Sequence, residues 1–173
     1  MIQEQGGITI RPSVYSDLDV IAAIALQLFP NNFTVESTEK PIPLEQAKGW
    51  IHGNYLGSVF NPSYLVAQIG GHGIVGYTHF RPTANAAGVI AIDEWGVIPV
   101  EGVRGIGTRL IEETERALVE SHPAIFKKSL ASLLVYTGKP GVNLCVRLGF
   151  TEAAKFPDLY GSGMDEYIMR KDF

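Results

Sequence analysis

A glycine-rich turn, two adjacent acids and a single thiol are the residues of this chain whose types and spacing could do chemistry. The turn runs Gly102-Val103-Arg104-Gly105-Ile106-Gly107-Thr108, with Gly96 just upstream and an amphipathic stretch just downstream. Amides at a helix start carry about half a positive charge, and glycines let a diphosphate reach them without side-chain obstruction. Such a turn suits a nucleotide-tailed cofactor. It lacks the Gly-Lys-Ser or Gly-Lys-Thr ending of a nucleoside-triphosphate loop, and no first-strand GxGxxG of the dinucleotide-binding type is present.

Asp93 and Glu94 are neighbours in an apolar run that reads as a strand. Consecutive strand residues face opposite ways, so only one of them can face a given cleft. A carboxylate there could act as a general base or anchor a cationic group. The plainer reading is an acid that caps or salt-bridges on a sheet face. Cys145 is the only cysteine, which excludes an intrachain disulfide framework and a multi-cysteine zinc site. A lone thiol could serve as a proton donor or simply pack inside a helix. His52, His72, His79 and His122 show no metal-ligand spacing with carboxylates and read as surface or hydrogen-bonded residues, so no metal is expected.

These groups need elements to position them. "ITIRPS" alternates as a strand, and Ser16 with Asp19 resembles a capping box opening the helical pattern "DLDVIAAIALQLF". Residues 30–43, rich in Pro, Asn, Ser and Thr, read as a loop before a weaker helix, "LEQAKGWIHGNYL". Phe29, Phe33, Trp50 and Tyr55, near that loop, could wall a ligand cleft or pack in the core. "SYLVAQIGGHGIVGYTHFRP" reads as a hairpin turning at Gly70, Gly71 and Gly73, and "GVIAIDEWGVIP" as a central strand. After the glycine turn, Leu110, Ile111, Thr114, Ala117, Leu118 and Ser121 trace one helix face, and Pro123 forbids continuation. "SLLVYTG" is a further strand, "PGVNLCVRLGF" a short helix closing on Gly149, and two strands surround "FPDLYGSGMDEYIMRKDF". The order βααβββαβαββ describes an α+β fold on one mixed sheet.

At 173 residues the chain suits one domain, residues 1–173, and 46% hydrophobic against 18% charged residues place it among ordinary globular proteins. A net charge of −4 argues against a nucleic-acid surface and is compatible with a cationic small substrate. The N-terminus has no signal-peptide pattern and no stretch reaches membrane-span length, so a cytoplasmic location without a membrane partner is expected.

With the residues of the turn and its flanks in view, "WGVIPVEGVRGIGTRLIEE" resembles the central motif of the GNAT superfamily of acyl-CoA-dependent N-acyltransferases: Val-x-Pro, then Gln or Arg-x-x-Gly-x-Gly or Ala, then a helix. "ITIRPSVYSDLDVIAAI", "RLGF" and "DEYIMRKDF" look like the superfamily's first, penultimate and last elements, so the resemblance covers nearly the whole chain. It implies a mixed, mostly antiparallel sheet with about four helices, and acetyl transfer from acetyl-CoA directly to an amine, with neither metal nor acyl-enzyme. By the same resemblance Trp95, Gly96 and Val97 line the pantetheine arm, while Val103, Arg104, Gly105, Ile106, Gly107 and Thr108 cradle phosphate. The Val97 amide is the implied oxyanion donor. Asp93 is the preferred base or amine anchor and Glu94 the second candidate, by analogy with the acidic pair of the polyamine-acetylating branch.

The chain departs from the family pattern at three positions. The family's Gln or Arg falls on Gly102, leaving Arg104 or Arg109 to compensate through charge. The frequent Asn of the next strand falls on Gly138, so that contact passes to water or to Asn143. The usual acid, a Tyr, falls on Cys145, with Tyr136, Tyr160 and Tyr167 as reserve donors. The acceptor is a small-molecule or peptide amine, with a polyamine or drug-like amine favoured by the acidic charge, and the family admits a homodimer. Two other readings are a non-catalytic acyl-CoA sensor or scaffold on the same fold and a generic nucleotide-binding module.

Overall fold

A computed structural model describes residues 3–5, 7–30, 34–35, 40–57, 63–83, 88–121 and 131–173. Phe33, His122 and Pro123 lie outside the described residues. The chain forms two compact units, Met1–Thr78 with Gly96–Leu110, and His79–Trp95 with Ile111–Phe173.

In the first unit, strands β1 (Gln3–Gln5), β2 (Ile8–Pro12), β5 (Tyr64–Ile69), β6 (Gly73–Pro82) and β7 (Val89–Val97) lie in the order β1-β2-β5-β6-β7, the last two entering the unit by part of their length. The predicted period of two in β2 is present, with Ile8 and Ile10 buried. Helix α1 (Leu18–Leu28) buries Leu18, Ile21, Ala22, Ile24 and Ala25, the helical spacing read from the sequence. Ala47 and Ile51 of α2 (Leu44–Gly57) join these residues, Tyr64, Val66 and Tyr77 in one core. Each large side chain buried there contributes about 1.5–3 kcal/mol. The β5–β6 turn uses glycine at two left-handed positions, Gly71 (φ +80°) and Gly73 (φ +75°).

Two expectations change. The first helix opens through a single 3₁₀ turn, Tyr15–Asp17, rather than a Ser16–Asp19 box. Asp17 accepts the Val14 N–H at 2.8 Å and both terminal nitrogens of Arg11 at 2.6 and 3.1 Å. The strand-end cation captures the acid nearest to it. Asp19 instead reaches across to α2, pairing with Lys48 at 3.3 Å and His52 at 3.0 Å. Within the expected loop of residues 30–43, β3 (Thr34–Val35) pairs antiparallel with β4 (Lys40–Pro41), a ladder too short to leave a period in the sequence.

In the second unit the order is β6-β7-β8-β10-β9, with β8 (Ser132–Gly138), β9 (Thr151–Phe156) and β10 (Glu166–Asp172). β7 runs parallel to β8, while β8–β10 and β9–β10 are antiparallel, so the sheet is mixed and mostly antiparallel. Ile90, Ile92, Leu133, Val135 and Met169 are buried strand residues. Helix α3 (Ile106–Ser121) buries Ile111, Thr114 and Leu118 in this unit as its period predicts, whereas Ser121 is exposed at its end. Helix α4 (Lys139–Arg147) closes on Gly149 (φ +86°), and the Phe150 N–H returns to the Cys145 carbonyl at 3.0 Å.

Candidate active site

The glycine turn belongs to the first unit. At the end of β7 the Ile98 N–H donates to the Val75 carbonyl at 2.7 Å, and Val97 packs so closely on Gly76 that a Cβ there would stand 3.0 Å from its Cγ2. The chain then turns through a Val103 N–H to Val100 carbonyl bond of 3.1 Å, with Gly102 at φ +74° and Gly105 at φ +78°. Both conformations disfavour any side chain, which accounts for the missing Gln or Arg at Gly102. A Cβ at either position would meet nothing within 4 Å. The Arg109 N–H donates to the Gly105 carbonyl at 3.0 Å and opens α3. The amides of Ile106, Gly107 and Thr108 therefore precede the first helical bond and have no acceptor inside the helix. This donor set fits a diphosphate: backbone amides under bare glycine, at the positive end of a long helix.

The two candidate cations differ. Arg104 is exposed beside the turn. Arg109 is engaged with β2, its Nη1 donating to the Ile8 carbonyl at 3.2 Å. Gly96 serves packing instead: a Cβ there would strike the Leu28 side chain and lie 3.2 Å from the Phe29 ring. Of the expected apolar wall, Phe29 and Tyr55 pack against the core and Trp50 is exposed on α2.

In the second unit the two acids of β7 have different surroundings. Asp93 is held from β6 by His79, whose Nδ1 lies 2.7 Å from Oδ1, and by Arg81, whose Nε donates to Oδ2. Burial pushes the Asp93 carboxyl up, but His79 and Arg81 more than offset it and leave the group below the ordinary carboxylate range. Both oxygens are thus engaged, and the group is a weak proton acceptor. Glu94 lies near Tyr160, whose phenol is raised well above its usual value by burial, by donation to Glu166 at 2.7 Å, and by the charges of Glu166 and Glu94. Sequence reasoning missed His79 and Arg81 as partners of Asp93. Their shared parity along β6, opposite an acid on the next strand, was the available signal.

The β7–β8 ladder stops at Ile92↔Val135, although β7 continues to Val97 and β8 stays paired with β10 as far as Gly138. Trp95 lies beyond that point. Its indole Nε1 donates to the Tyr136 carbonyl at 3.1 Å, and a Cβ on Gly141 in α4 would come within 2.8 Å of its Cζ2. Cys145, also on α4, is fully buried, and burial pushes its thiol up to about 11. Asn143 is exposed on the same helix. Gly138 leaves room for a side chain, with the Pro140 ring 3.7 Å from where a Cβ would stand. Of the remaining histidines, His52 pairs with Tyr15 and Asp19, and His72 is exposed in the β5–β6 turn. Among the described residues no group of three or more His, Cys, Asp or Glu could hold a metal ion.

The acetyltransferase (GNAT) family model matches residues 21–150. No curated protein matches the sequence. Among solved structures, a GNAT superfamily phosphinothricin acetyltransferase from Sinorhizobium meliloti, in complex with acetyl-CoA, is 20% identical, with a TM-score of 0.69 over 96% of this chain and 89% of that one. The yncA protein of Salmonella typhimurium, with its cofactor acetyl-CoA, is 19% identical at a TM-score of 0.66 over 96% and 94%. The ribosomal-protein-S5-alanine acetyltransferase of Vibrio fischeri is 14% identical at 0.68 over 99% and 96%.

Proposed function

The chain belongs to the acetyltransferase (GNAT) family, and from that premise we propose that it moves an acetyl group from acetyl-CoA directly to the amine of a cationic small molecule, such as a polyamine. The observation that carries this reading is the glycine turn: Gly105 is left-handed and bare, and three amides of the first turn of a 16-residue helix follow it. In the proposal Ile106, Gly107 and Thr108 donate to the diphosphate, Val103 and Gly105 shape the turn, and Arg104 adds charge. Trp95, Gly96 and Val97 flank the pantetheine arm, with the Val97 amide as oxyanion donor. Acetyl-CoA supplies an activated thioester, so the chain's task is to hold it, orient the amine and take up a proton.

Of the two acids, Glu94 is the proposed base and amine anchor, because both oxygens of Asp93 are committed to His79 and Arg81. Asp93 is then a positioning residue that stiffens β6 against β7. Cys145 is a packing residue in this reading. A buried thiol held at about 11 is a weaker acid than an ordinary thiol, so giving its proton to a departing thiolate would run uphill. The reading takes residues 1–173 as one domain, supported by a family match that draws on both units. It also places the protein in the cytoplasm, where acetyl-CoA is available. Among the described residues no helix is long and apolar enough to cross a membrane.

The test is acetyl-CoA-dependent thiol release near pH 8 against polyamines, aminoglycosides, amino acids and short peptides. Release with polyamines or another cationic small amine is expected. Release confined to peptides would overturn the acceptor assignment, and acetyl-CoA binding without release by any acceptor would favour the sensor.

A further inference from the structure

A cavity of about 630 Å³ opens in the second unit and shares no residue with the glycine turn or the acids of β7. Three elements build it, each at its own period. Glu112, Glu115, Arg116 and Val119 stand at i, i+3, i+4 and i+7 along α3, a stripe beside the one that buries Ile111, Thr114 and Leu118. Lys171 and Phe173 are two residues apart where the pairing of β10 with β8 runs on through the Phe173 N–H to the Ala131 carbonyl, so they share a face. Arg147 and Leu148 come from the end of α4.

The charges lining this cavity are not all balanced within the fold. Lys171 donates to both oxygens of Glu115 at 2.7 and 2.9 Å, and its ammonium lies over the rings of Phe150 and Phe173 at 5.6 and 5.8 Å. Arg116 is engaged along its own helix by Glu113 and Glu120. Two groups are left over. Among the described residues the exposed side chains of Glu112 and Arg147 make no ion pair or hydrogen bond, so one carboxylate and one guanidinium are available to a ligand. Val119, Leu148 and Phe173 give the same cavity its apolar surface. A ligand with a single charge would match one of the two groups and leave the other unmet. A zwitterion matches both, and the volume lies within the range of about 300–1,000 Å³ that holds small-molecule ligands larger than a single amino acid.

We infer that this cavity binds a zwitterionic dipeptide with apolar side chains. Its ammonium pairs with Glu112, its carboxylate with the Arg147 fork, and its side chains lie on Val119, Leu148 and Phe173. The inference goes beyond acetyl transfer and does not depend on it.

The test uses three probes: L-leucyl-L-phenylalanine, its N-acetyl derivative, which lacks the ammonium, and its C-terminal amide, which lacks the carboxylate. They are titrated calorimetrically without acetyl-CoA, so that no transfer intervenes. The parent protein should bind the dipeptide at least fivefold more tightly than either derivative. Glu112→Gln should lose the preference over the N-acetyl form, and Arg147→Gln the preference over the amide. Both side chains are exposed, so neither substitution threatens the fold. Three results would overturn the site: no binding of the dipeptide to the parent, derivatives that bind as tightly as the dipeptide, or dipeptide affinity unchanged in both variants. The last would mean that the ligand sits elsewhere, an acceptor cleft included.

Discussion

Gly105 and Gly141 are the same residue used for opposite reasons. At Gly105 the backbone is left-handed and the space above it is bare. At Gly141 the space is full, since a Cβ would run into Thr137 and Trp95. Gly96 is of the second kind, packed under Leu28 and Phe29. Glycine clustering around a helix start is therefore ambiguous until the neighbours are known: one kind leaves the space above it bare, and the other lets two elements approach. The acids of β7 differ likewise, with Asp93 bound to His79 and Arg81, and the charge of Glu94 felt by the Tyr160 phenol.

The comparison breaks or sharpens under substitution. Gly141→Val should cost the most stability, about 3 kcal/mol from overpacking, read as a lowered urea midpoint. If the midpoint does not move, Gly141 is not a packing glycine. Glu94→Gln should lower kcat by about a hundredfold with the fold intact, the size expected for a lost general base. Asp93→Asn should lower it far less, and a reversal of that order in the thiol-release assay would return the base to Asp93.

Asp93 also predicts a pH effect. Its carboxyl is held below the ordinary range, so its pairing stabilises the fold above about pH 4 and is lost as pH falls toward the folded-state value. The Tm of the parent protein should drop more steeply between pH 6 and pH 3 than that of Asp93→Asn; parallel curves would contradict this. The smallest effect is expected at Cys145. Cys145→Ala should keep turnover within twofold between pH 7 and pH 9, and the native thiol should react slowly with a disulfide reagent at pH 8. A tenfold loss of turnover would restore Cys145 as the acid.

What the sequence revealed followed from local pattern. The period of α1, the Gly70–Gly73 turn and the strand–turn–helix order around Gly105 depend on residues close in the chain, and all are present in the fold. The glycine turn was legible because its donors are backbone amides, whose direction follows from the helix start alone. The surroundings of Asp93 were hidden because His79 and Arg81 come from another strand, and only the pairing of β6 with β7 brings them near. Cys145 was ambiguous for a related reason. Its type permits either acid chemistry or packing, and its burial, which bears on the choice, arises from tertiary structure. The first helix entry misled because Ser16 and Asp19 matched a capping pattern, while Arg11 gave Asp17 a stronger partner.

The most direct test of the glycine turn as the cofactor cradle is titration of Gly105→Val with acetyl-CoA and with 3′-phospho-ADP. A β-branched residue cannot hold φ near +78° without strain of about 1–2 kcal/mol, and its side chain would fill the bare space over the amides. Both ligands should weaken tenfold or more, while the urea midpoint falls by no more than this strain accounts for. Affinities equal to those of the parent protein would contradict the cradle.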